Sequence, residues 1–146
     1  MLAEQLKILL ASSFVFYLKA HNFHWNVEGP NFAEYHKFLD DLNSEVFEKS
    51  IDRTAEFIRV LDHYTPGSLV RFMELSIIKD QVKIPRAELM LAELYEDNLK
   101  ILALLNAIFP IANEENQAIA NYIAERIDAH GKHGWMLRSF LKVDRA

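Results

Sequence analysis

Two Gly–Pro pairs divide this chain and restrict the ways in which it can fold. Gly29–Pro30 and Pro66–Gly67 contain half of the four glycines and four prolines in 146 residues. On both sides of each pair, apolar side chains recur at the three- and four-residue intervals typical of amphipathic helices. With 51% hydrophobic residues and so few helix breakers, the sequence favours long helices over strands.

The first two predicted helices flank the Gly29–Pro30 break. The first begins near the N-terminus and runs to about Val27. We expect Asn31 to cap the second, with Glu34 as its capping partner, and this helix to end near His63. The apolar stripe of the first helix consists of Leu2, Leu6, Leu9, Leu10, Phe14, Tyr17, Leu18 and His21.

A long connection, residues 65–85, separates the two halves of the chain, and residues 68–75 within it predict a short helix. Pro85 suits the first turn of a third helix, and a fourth begins around 113–116. Four long helices with one long crossover describe a ferritin-like four-helix bundle. We therefore predict an all-α chain, one domain over residues 1–146, with a short extra helix in the crossover between helices 2 and 3.

Composition excludes several classes of protein. The chain has no cysteine, so disulfides and thiolate metal sites are excluded, and the cytoplasm is the expected location. Residues 2–18 are apolar enough to suggest a signal peptide. Lys7 interrupts them and the helical pattern continues to Trp25, so we reject that interpretation. No apolar run reaches the ~18 residues of a membrane span.

Histidines and carboxylates occur at helical spacing around the first break. His36 and Asp40 are four residues apart and share a helix face, and Asp52 and Glu56 repeat that geometry. His24, ending the previous helix, would fold back beside His36. Imidazole with carboxylate is a ligand set suited to non-haem iron and related divalent metals. Asp40 and Asp52 are roughly 18 Å apart along one helix, so both pairs can serve one site only if two chains pack antiparallel around a twofold axis.

One motif around the first break is far more specific than the composition. It reads His24-Trp25-Asn26-Val27-x-Gly29-Pro30-Asn31-Phe32, followed by His36 and Asp40. With it, the chain resembles the Dps family, the miniferritins named for DNA protection in starved cells. The resemblance extends over nearly the whole chain, with supporting matches at Glu74-Leu75-Ser76, Ile78-Lys79 and Lys132-His133-x-Trp135-Met136-Leu137-Arg138.

The resemblance implies a ferroxidase, an oxidoreductase whose sites lie at a dimer interface. The implied catalytic and metal-ligating residues are His24, His36 and Asp40 of one subunit with Asp52 and Glu56 of its mate. Ferrous iron would be oxidised there, with hydrogen peroxide as oxidant, and zinc is a conceivable substitute metal. The ferric product would be stored in a hollow homododecameric shell built from twofold dimers, which protects against oxidative damage. The sequence contains no Glu-x-x-His, the pair that ferritins use for a di-iron site within one bundle.

The spacing between the two ligand pairs departs from the family by one residue. The family usually has eleven residues from the Asp40 position to the next ligand, and here there are twelve. Eleven steps of an α-helix return to within about 20° of the same face, whereas twelve miss it by about 120°. A single π-bulge between Leu42 and Ser50 would absorb the extra residue and keep Asp52 and Glu56 in the site. We predict one.

The other histidines and Trp25 have simpler interpretations. His130 and His133 are three residues apart and could hold a metal, but His130 lies on an apolar stripe, which favours a structural histidine with its hydrogen bonds satisfied. His21 and His63 are interpreted as packing and helix-end residues. Trp25 is expected to pack beside the site.

Iron entry and DNA binding are the points at which this chain differs from many family members. The family often lines a threefold pore with aspartates at the start of the fourth helix, where this chain has Asn121; Glu114, Glu115 or Glu125 could substitute.

DNA-binding members commonly use a disordered basic tail. Here the net charge is −5, and twelve copies would total about −60, which repels phosphate. The short segment 142–146 is weak compensation, so we predict no DNA binding at moderate salt.

Two alternatives of other classes remain. The inserted residue could have broken the site, leaving a non-catalytic Dps-like shell that is structural or binds a metal such as zinc. The chain could instead be a helical partner-binding module, which predicts a monomer or dimer. Oxidation of ferrous iron separates the first alternative from the enzyme, and the size of the assembly tests the second.

Overall fold

The computed structural model describes residues 1–142, and all regular secondary structure in that range is helical. The predicted all-α fold and the short crossover helix are confirmed. No helix within these residues is both long and apolar enough to cross a membrane. Apart from Lys142, the C-terminal segment 142–146 lies outside the described residues. The helices are α1 Leu2–Asn26, α2 Phe32–Val46, α3 Asp52–Val60, α4 Leu69–Leu75, α5 Ala87–Glu115 and α6 Gln117–Phe140.

A π turn, Phe47–Ile51, joins α2 to α3, so that these three elements form the second long helix. The residues on either side of the turn keep right-handed helical backbone angles. A π turn accommodates one residue more than an α-helix does over the same stretch. The turn overlaps the predicted interval 42–50 and confirms that the helix absorbs one extra residue there. The helix then ends at Val60, before the predicted end at His63.

The reversal between α1 and α2 depends on backbone conformation and not on the predicted capping box. Gly29 has φ +99° and Asn31 has φ +65°, in the left-handed region that glycine and asparagine tolerate best. Asn31 stands at the N-cap of α2, but its side chain makes no capping hydrogen bond, and the role predicted for Glu34 is wrong. The reversal is closed by the Phe32 N–H, which donates to the Gly29 carbonyl at 3.1 Å.

The crossover between α3 and α5 is fixed to α1 by polar and aromatic contacts. The Ser68 hydroxyl caps α4 by accepting from the Arg71 N–H at 3.2 Å. The Ile77 N–H, just after α4, donates to the Ser12 hydroxyl of α1 at 3.0 Å. Phe72 is buried, so α4 lies against the bundle and does not extend into solvent.

Asn116 separates α5 from α6 and caps the second of them. Its side-chain oxygen accepts from the Ile119 N–H at 3.1 Å. The third long helix is capped at Arg86, so Pro85 lies just outside it and not in its first turn as predicted. Pro110 lies inside α5 on the exposed side, where water can satisfy the carbonyl that a proline leaves without a partner.

The first helix has more of its surface buried than its predicted stripe suggests. Leu18, a stripe residue, is 39% exposed, whereas Phe16, Ala20 and Phe23 are fully buried although they lie off the stripe. α1 packs against α2, α3, α4 and α5, so no single face of it is the core face. A helix covered on several sides does not show one apolar stripe.

A polar network crosses the core between α2, α5 and α6. The Arg126 guanidinium donates to both carboxylate oxygens of Glu45, at 2.6 and 2.9 Å, and His133 Nε2 donates to the same carboxylate at 2.7 Å. The Asn98 amide donates to the His130 carbonyl at 2.9 Å and accepts from His130 Nδ1 at 2.8 Å. Buried polar groups that satisfy one another in this way fix the register of neighbouring helices.

Gly134 lies where α6 passes this network. A Cβ at Gly134 would come 3.0 Å from the Asn98 amide nitrogen, so close packing explains this glycine. A Cβ at Gly131 would meet nothing within 4 Å, so close packing does not explain that one.

Candidate metal site

The rings of His24 and His36 are stacked at the junction of α1 and α2. Their centroids lie 3.9 Å apart and the ring planes are 16° from parallel. His24 Nδ1 donates to the His36 backbone carbonyl at 2.7 Å, and His36 Nδ1 donates to the His24 carbonyl at 2.8 Å. A carbonyl can only accept, so each neutral ring carries its proton on Nδ1 and presents an unprotonated Nε2. Both neutral histidines therefore have a tautomer in which Nε2 can bind a metal while Nδ1–H is held by a hydrogen bond.

Asp40 lies one helical turn beyond His36 on α2. Its Oδ1 is 4.0 Å from His24 Nε2, too far for a hydrogen bond. The Asp40 side chain is 56% exposed and the His24 side chain 14%. The predicted ligands His24, His36 and Asp40 thus lie together at the surface of the chain, with the carboxylate outermost.

Asp52 and Glu56 form a second acidic group on α3. Both are exposed, one helical turn apart. A hydrogen bond with Asp52, together with the negative charge of that carboxylate, raises the pKa of Glu56. Two carboxylates that compete for a proton in this way bind a divalent cation favourably, since the cation removes their repulsion.

The π turn decides which residues of α3 are exposed. Without it, Ile51 and Ala55 would lie on the same helix face as Asp40, because eleven residues of a regular α-helix return to nearly the same direction. In the structure Ile51 and Ala55 are instead partly buried against the core, and Asp52 and Glu56 are exposed.

The five predicted ligands do not form one site within a single chain. Among residues 1–142, no three histidine, aspartate or glutamate side chains are arranged to hold a metal ion. The ligands instead form two separate groups, an imidazole-rich group at the α1–α2 junction and an acidic group on α3. That the two groups meet between two copies of the chain, as the sequence predicts, stays a prediction.

His21, predicted to have a packing role, is a neighbour of the candidate site. Its ring lies 5.8 Å from that of His24 and 4.1 Å from that of Trp25, and its Nδ1 is 3.1 Å from the Tyr17 hydroxyl. Burial and the charge of His24 lower the pKa of His21, while Asp40 opposes them. The three-residue spacing of His21 and His24, which places both on one face of α1, could have indicated that His21 lies beside the candidate site.

His130 is a structural histidine, as predicted. Burial lowers its pKa well below the usual value, and the charges of His133 and Arg126 act in the same direction. Its Nδ1 is bonded to Asn98, and its Nε2 lies 3.4 Å from the Arg126 guanidinium. His133 does not complete a metal pair with His130, because its Nε2 is bonded to Glu45.

Of the residues considered for iron entry, Glu114 and Glu115 end α5, and Asn121 and Glu125 lie in the first half of α6. The Asn121 amide oxygen accepts from the Gln117 side chain at 3.0 Å. Glu125 is 3.6 Å from Arg53. A pore between subunits stays a prediction.

Comparison with known proteins connects this fold to described molecules. The family model of the ferritin-like domain matches residues 3–146. The DNA protection during starvation protein of Brevibacillus brevis is 31% identical over 134 residues, which cover 91% of this chain and 89% of that protein.

Solved structures show the same fold. Dps from Staphylococcus aureus has a TM-score of 0.92 and 31% identity, with 98% of this chain and 96% of that chain covered. Dps from Vibrio cholerae O1, described as a member of a broad superfamily of ferritin-like diiron-carboxylate proteins, has a TM-score of 0.92 and 27% identity, with 97% and 89% covered.

Proposed function

Because the chain belongs to the Dps family of ferritin-like proteins, we propose that it oxidises ferrous iron and stores the ferric product. Storage would take place inside a hollow cytoplasmic shell of twelve copies built from twofold dimers. Ferrous iron is the substrate of this reaction and hydrogen peroxide the proposed oxidant. Consuming both together protects the cell, since they otherwise react to give hydroxyl radicals.

Each oxidation site is proposed to combine the two ligand groups across a dimer interface. One copy contributes His24, His36 and Asp40, and its mate contributes Asp52 and Glu56. The exposure of both acidic residues on the single chain supports this division. So does the π turn, which compensates for the extra residue between the two groups.

The observation that carries the proposal is the pair of crossed hydrogen bonds between His24 and His36. These bonds fix both rings and assign the proton of each neutral imidazole to Nδ1, so Nε2 is the nitrogen that can bind a divalent cation without rearrangement of the ring. Histidines with only a packing role have no need of this shared tautomer at the surface of the chain.

The side chains have separable roles in the proposed reaction. The histidines bind ferrous iron and hold its position, and the carboxylates stabilise the additional positive charge that oxidation creates. A peroxide molecule accepts one electron from each of two ferrous ions, and its O–O bond breaks as protons from solvent are taken up. Zinc, which prefers the same nitrogen and oxygen ligands but has no redox chemistry, should occupy the site and inhibit oxidation.

Ferrous oxidation by His36→Ala tests the proposal. We expect the initial rate with peroxide, followed by the absorbance of ferric product, to fall by about tenfold or more when this ligand is lost. His63→Ala is the matched control, because His63 is exposed in the turn after α3. Equal rates for the wild type and His36→Ala would reject the ferroxidase and favour the non-catalytic shell.

A further inference from the structure

The Tyr122 hydroxyl is buried against the π turn. Tyr122 comes from α6, and its hydroxyl donates to the Ser50 carbonyl at 3.0 Å, with the Lys49 carbonyl at 3.4 Å. The Thr54 hydroxyl lies 2.7 Å away and, because the phenol proton is directed to Ser50, serves as a donor to the phenol oxygen. Tyr122, Ser50 and Thr54 are all at most 2% exposed.

A π turn interrupts the regular hydrogen-bond pattern of the α-helix. Its backbone bonds join residues five apart, and the α-helix that follows returns to a spacing of four. The return leaves the ladder with one acceptor more than it has donors. A side-chain donor from outside the helix can stabilise such a turn through an additional hydrogen bond to one of its carbonyls, as the Tyr122 hydroxyl does at Ser50.

The ring of Tyr122 also packs against side chains of α3. The Arg53 guanidinium lies 4.9 Å from the centre of the Tyr122 ring, and the Phe57 ring is 5.2 Å from it. Arg53 is also 3.6 Å from Glu125, one turn further along α6. α6 therefore contacts the two residues that directly follow the acidic ligands in sequence.

We propose that Tyr122 is a positioning residue for the oxidation site: its hydroxyl stabilises the π turn, and the π turn places Asp52 and Glu56 on the ligand face of α3. This inference rests on the function proposed above. Tyr122 touches neither iron nor oxidant and acts only through the helix that carries the ligands. Burial raises the pKa of Tyr122, so its hydroxyl keeps the proton that it donates.

Tyr122→Phe in the assembled protein tests the inference, because it removes the hydroxyl and keeps the ring. With Zn²⁺ as a redox-inert probe, calorimetry should show binding to the site weakened about fivefold, the effect of one hydrogen bond. Amide hydrogen exchange of residues 50–56 should become faster. Tyr95→Phe is the control for loss of a tyrosine hydroxyl, since Tyr95 makes none of these hydrogen bonds.

Deletion of Glu48, an exposed residue of the π turn, separates positioning from general stability. The deletion shortens the step from Asp40 to the next ligand from twelve residues to eleven and lets the helix run as a regular α-helix. In that background Tyr122→Phe should change Zn²⁺ affinity by less than about twofold, because no π turn is left to stabilise. A purely structural tyrosine would have the same effect in both backgrounds.

The outcomes distinguish this inference from the proposed function. Unchanged exchange of residues 50–56 in Tyr122→Phe overturns the inference, whatever the chain does with iron. Faster exchange with unchanged Zn²⁺ affinity also overturns it, because the π turn then does not position the ligands. If the wild type neither binds Zn²⁺ nor oxidises ferrous iron, the proposed function fails, and the positioning role fails with it.

Discussion

His24 and His36 fix one another through their own backbones. Each Nδ1 donates to the carbonyl of the other residue, at 2.7 and 2.8 Å. Rotation of either ring would break the hydrogen bond from its Nδ1 to the backbone carbonyl of the other histidine. The α1–α2 turn and both rings therefore form one rigid unit. Such pre-organisation reduces the loss of side-chain entropy when a cation binds.

The two glycines of α6 should respond in opposite ways to alanine. Gly131→Ala adds a methyl group in open space and should raise the free energy of unfolding by about 0.5–1 kcal/mol through helix propensity. Gly134→Ala places a Cβ 3.0 Å from the amide of Asn98, which is fully buried and bonded to His130. We expect Gly134→Ala to lower the free energy of unfolding by roughly 1–2 kcal/mol. Urea unfolding measures both, and a stabilising Gly134→Ala would contradict the close packing.

Arg126 should be among the least replaceable polar residues. Arg126→Met leaves the partly buried Glu45 carboxylate with His133 alone, and we expect unfolding to become easier by about 2–3 kcal/mol. The matched control is Arg71→Met, whose exposed pair with Glu74 should contribute less than about 0.5 kcal/mol. Adding Glu45→Leu to Arg126→Met should recover part of the loss. If both arginine variants lose the same stability, the buried pair has no special role.

Acid should destabilise the fold through His130. Its pKa is lowered in the folded state, so the unfolded chain binds the additional proton once the pH falls below the ordinary value of 6.5. The contribution of His130 to the free energy of unfolding is therefore fully present above pH 6.5. It decreases towards pH 5, by up to about 1.4 kcal/mol per pH unit. The groups that face His130 are Asn98, Arg126, His133 and Glu45.

The measurement is the free energy of unfolding between pH 7 and pH 5. His130→Gln removes the titrating ring and should flatten this slope, even though the variant is less stable at every pH. His63→Gln should keep the wild-type slope, because His63 is exposed. An unaltered slope in His130→Gln would assign the acid sensitivity to other groups. Glu45 contributes to acid sensitivity only at lower pH. Burial by itself would raise the pKa of Glu45, but hydrogen bonds from Arg126 and His133 hold that pKa far below the usual value.

The sequence predicted those parts of the site that depend on periodicity along one helix. The four-residue spacing of His36 and Asp40 placed them on one face, and the count of twelve residues to Asp52 required a π turn that the structure contains. Both conclusions follow from the geometry of a single helix. They need no knowledge of which helices pack together.

Features that depend on several helices could not be predicted in the same way. Glu45 and Arg126 are 81 residues apart, and nothing in either local sequence indicates that they pair. The Tyr122 hydroxyl supports a turn 72 residues earlier in the chain. The left-handed conformation of Asn31 was mistaken for a capping box because Glu34 has the correct spacing for one. Residue type and spacing alone did not distinguish the two.

A mixing experiment tests whether one oxidation site needs two copies of the chain. His36→Ala removes a ligand from the imidazole group and Glu56→Ala one from the acidic group, so each variant alone should lose most of its activity. In a mixed twofold dimer the two changes fall in one site and leave the other site intact. With random pairing, half of the dimers are mixed, and about one quarter of all sites should be restored.

The control mixture combines His24→Ala with His36→Ala. Both changes lie in the same ligand group, so every site in a mixed dimer lacks one histidine and no activity should return. Native mass spectrometry verifies that mixed assemblies have formed in both samples. Recovery near one quarter in the first mixture alone identifies a site shared between subunits, because only then do the imidazole group of one copy and the acidic group of its mate form an intact pair. No recovery in verified mixed assemblies would place each complete site within a single chain and reject the shared geometry.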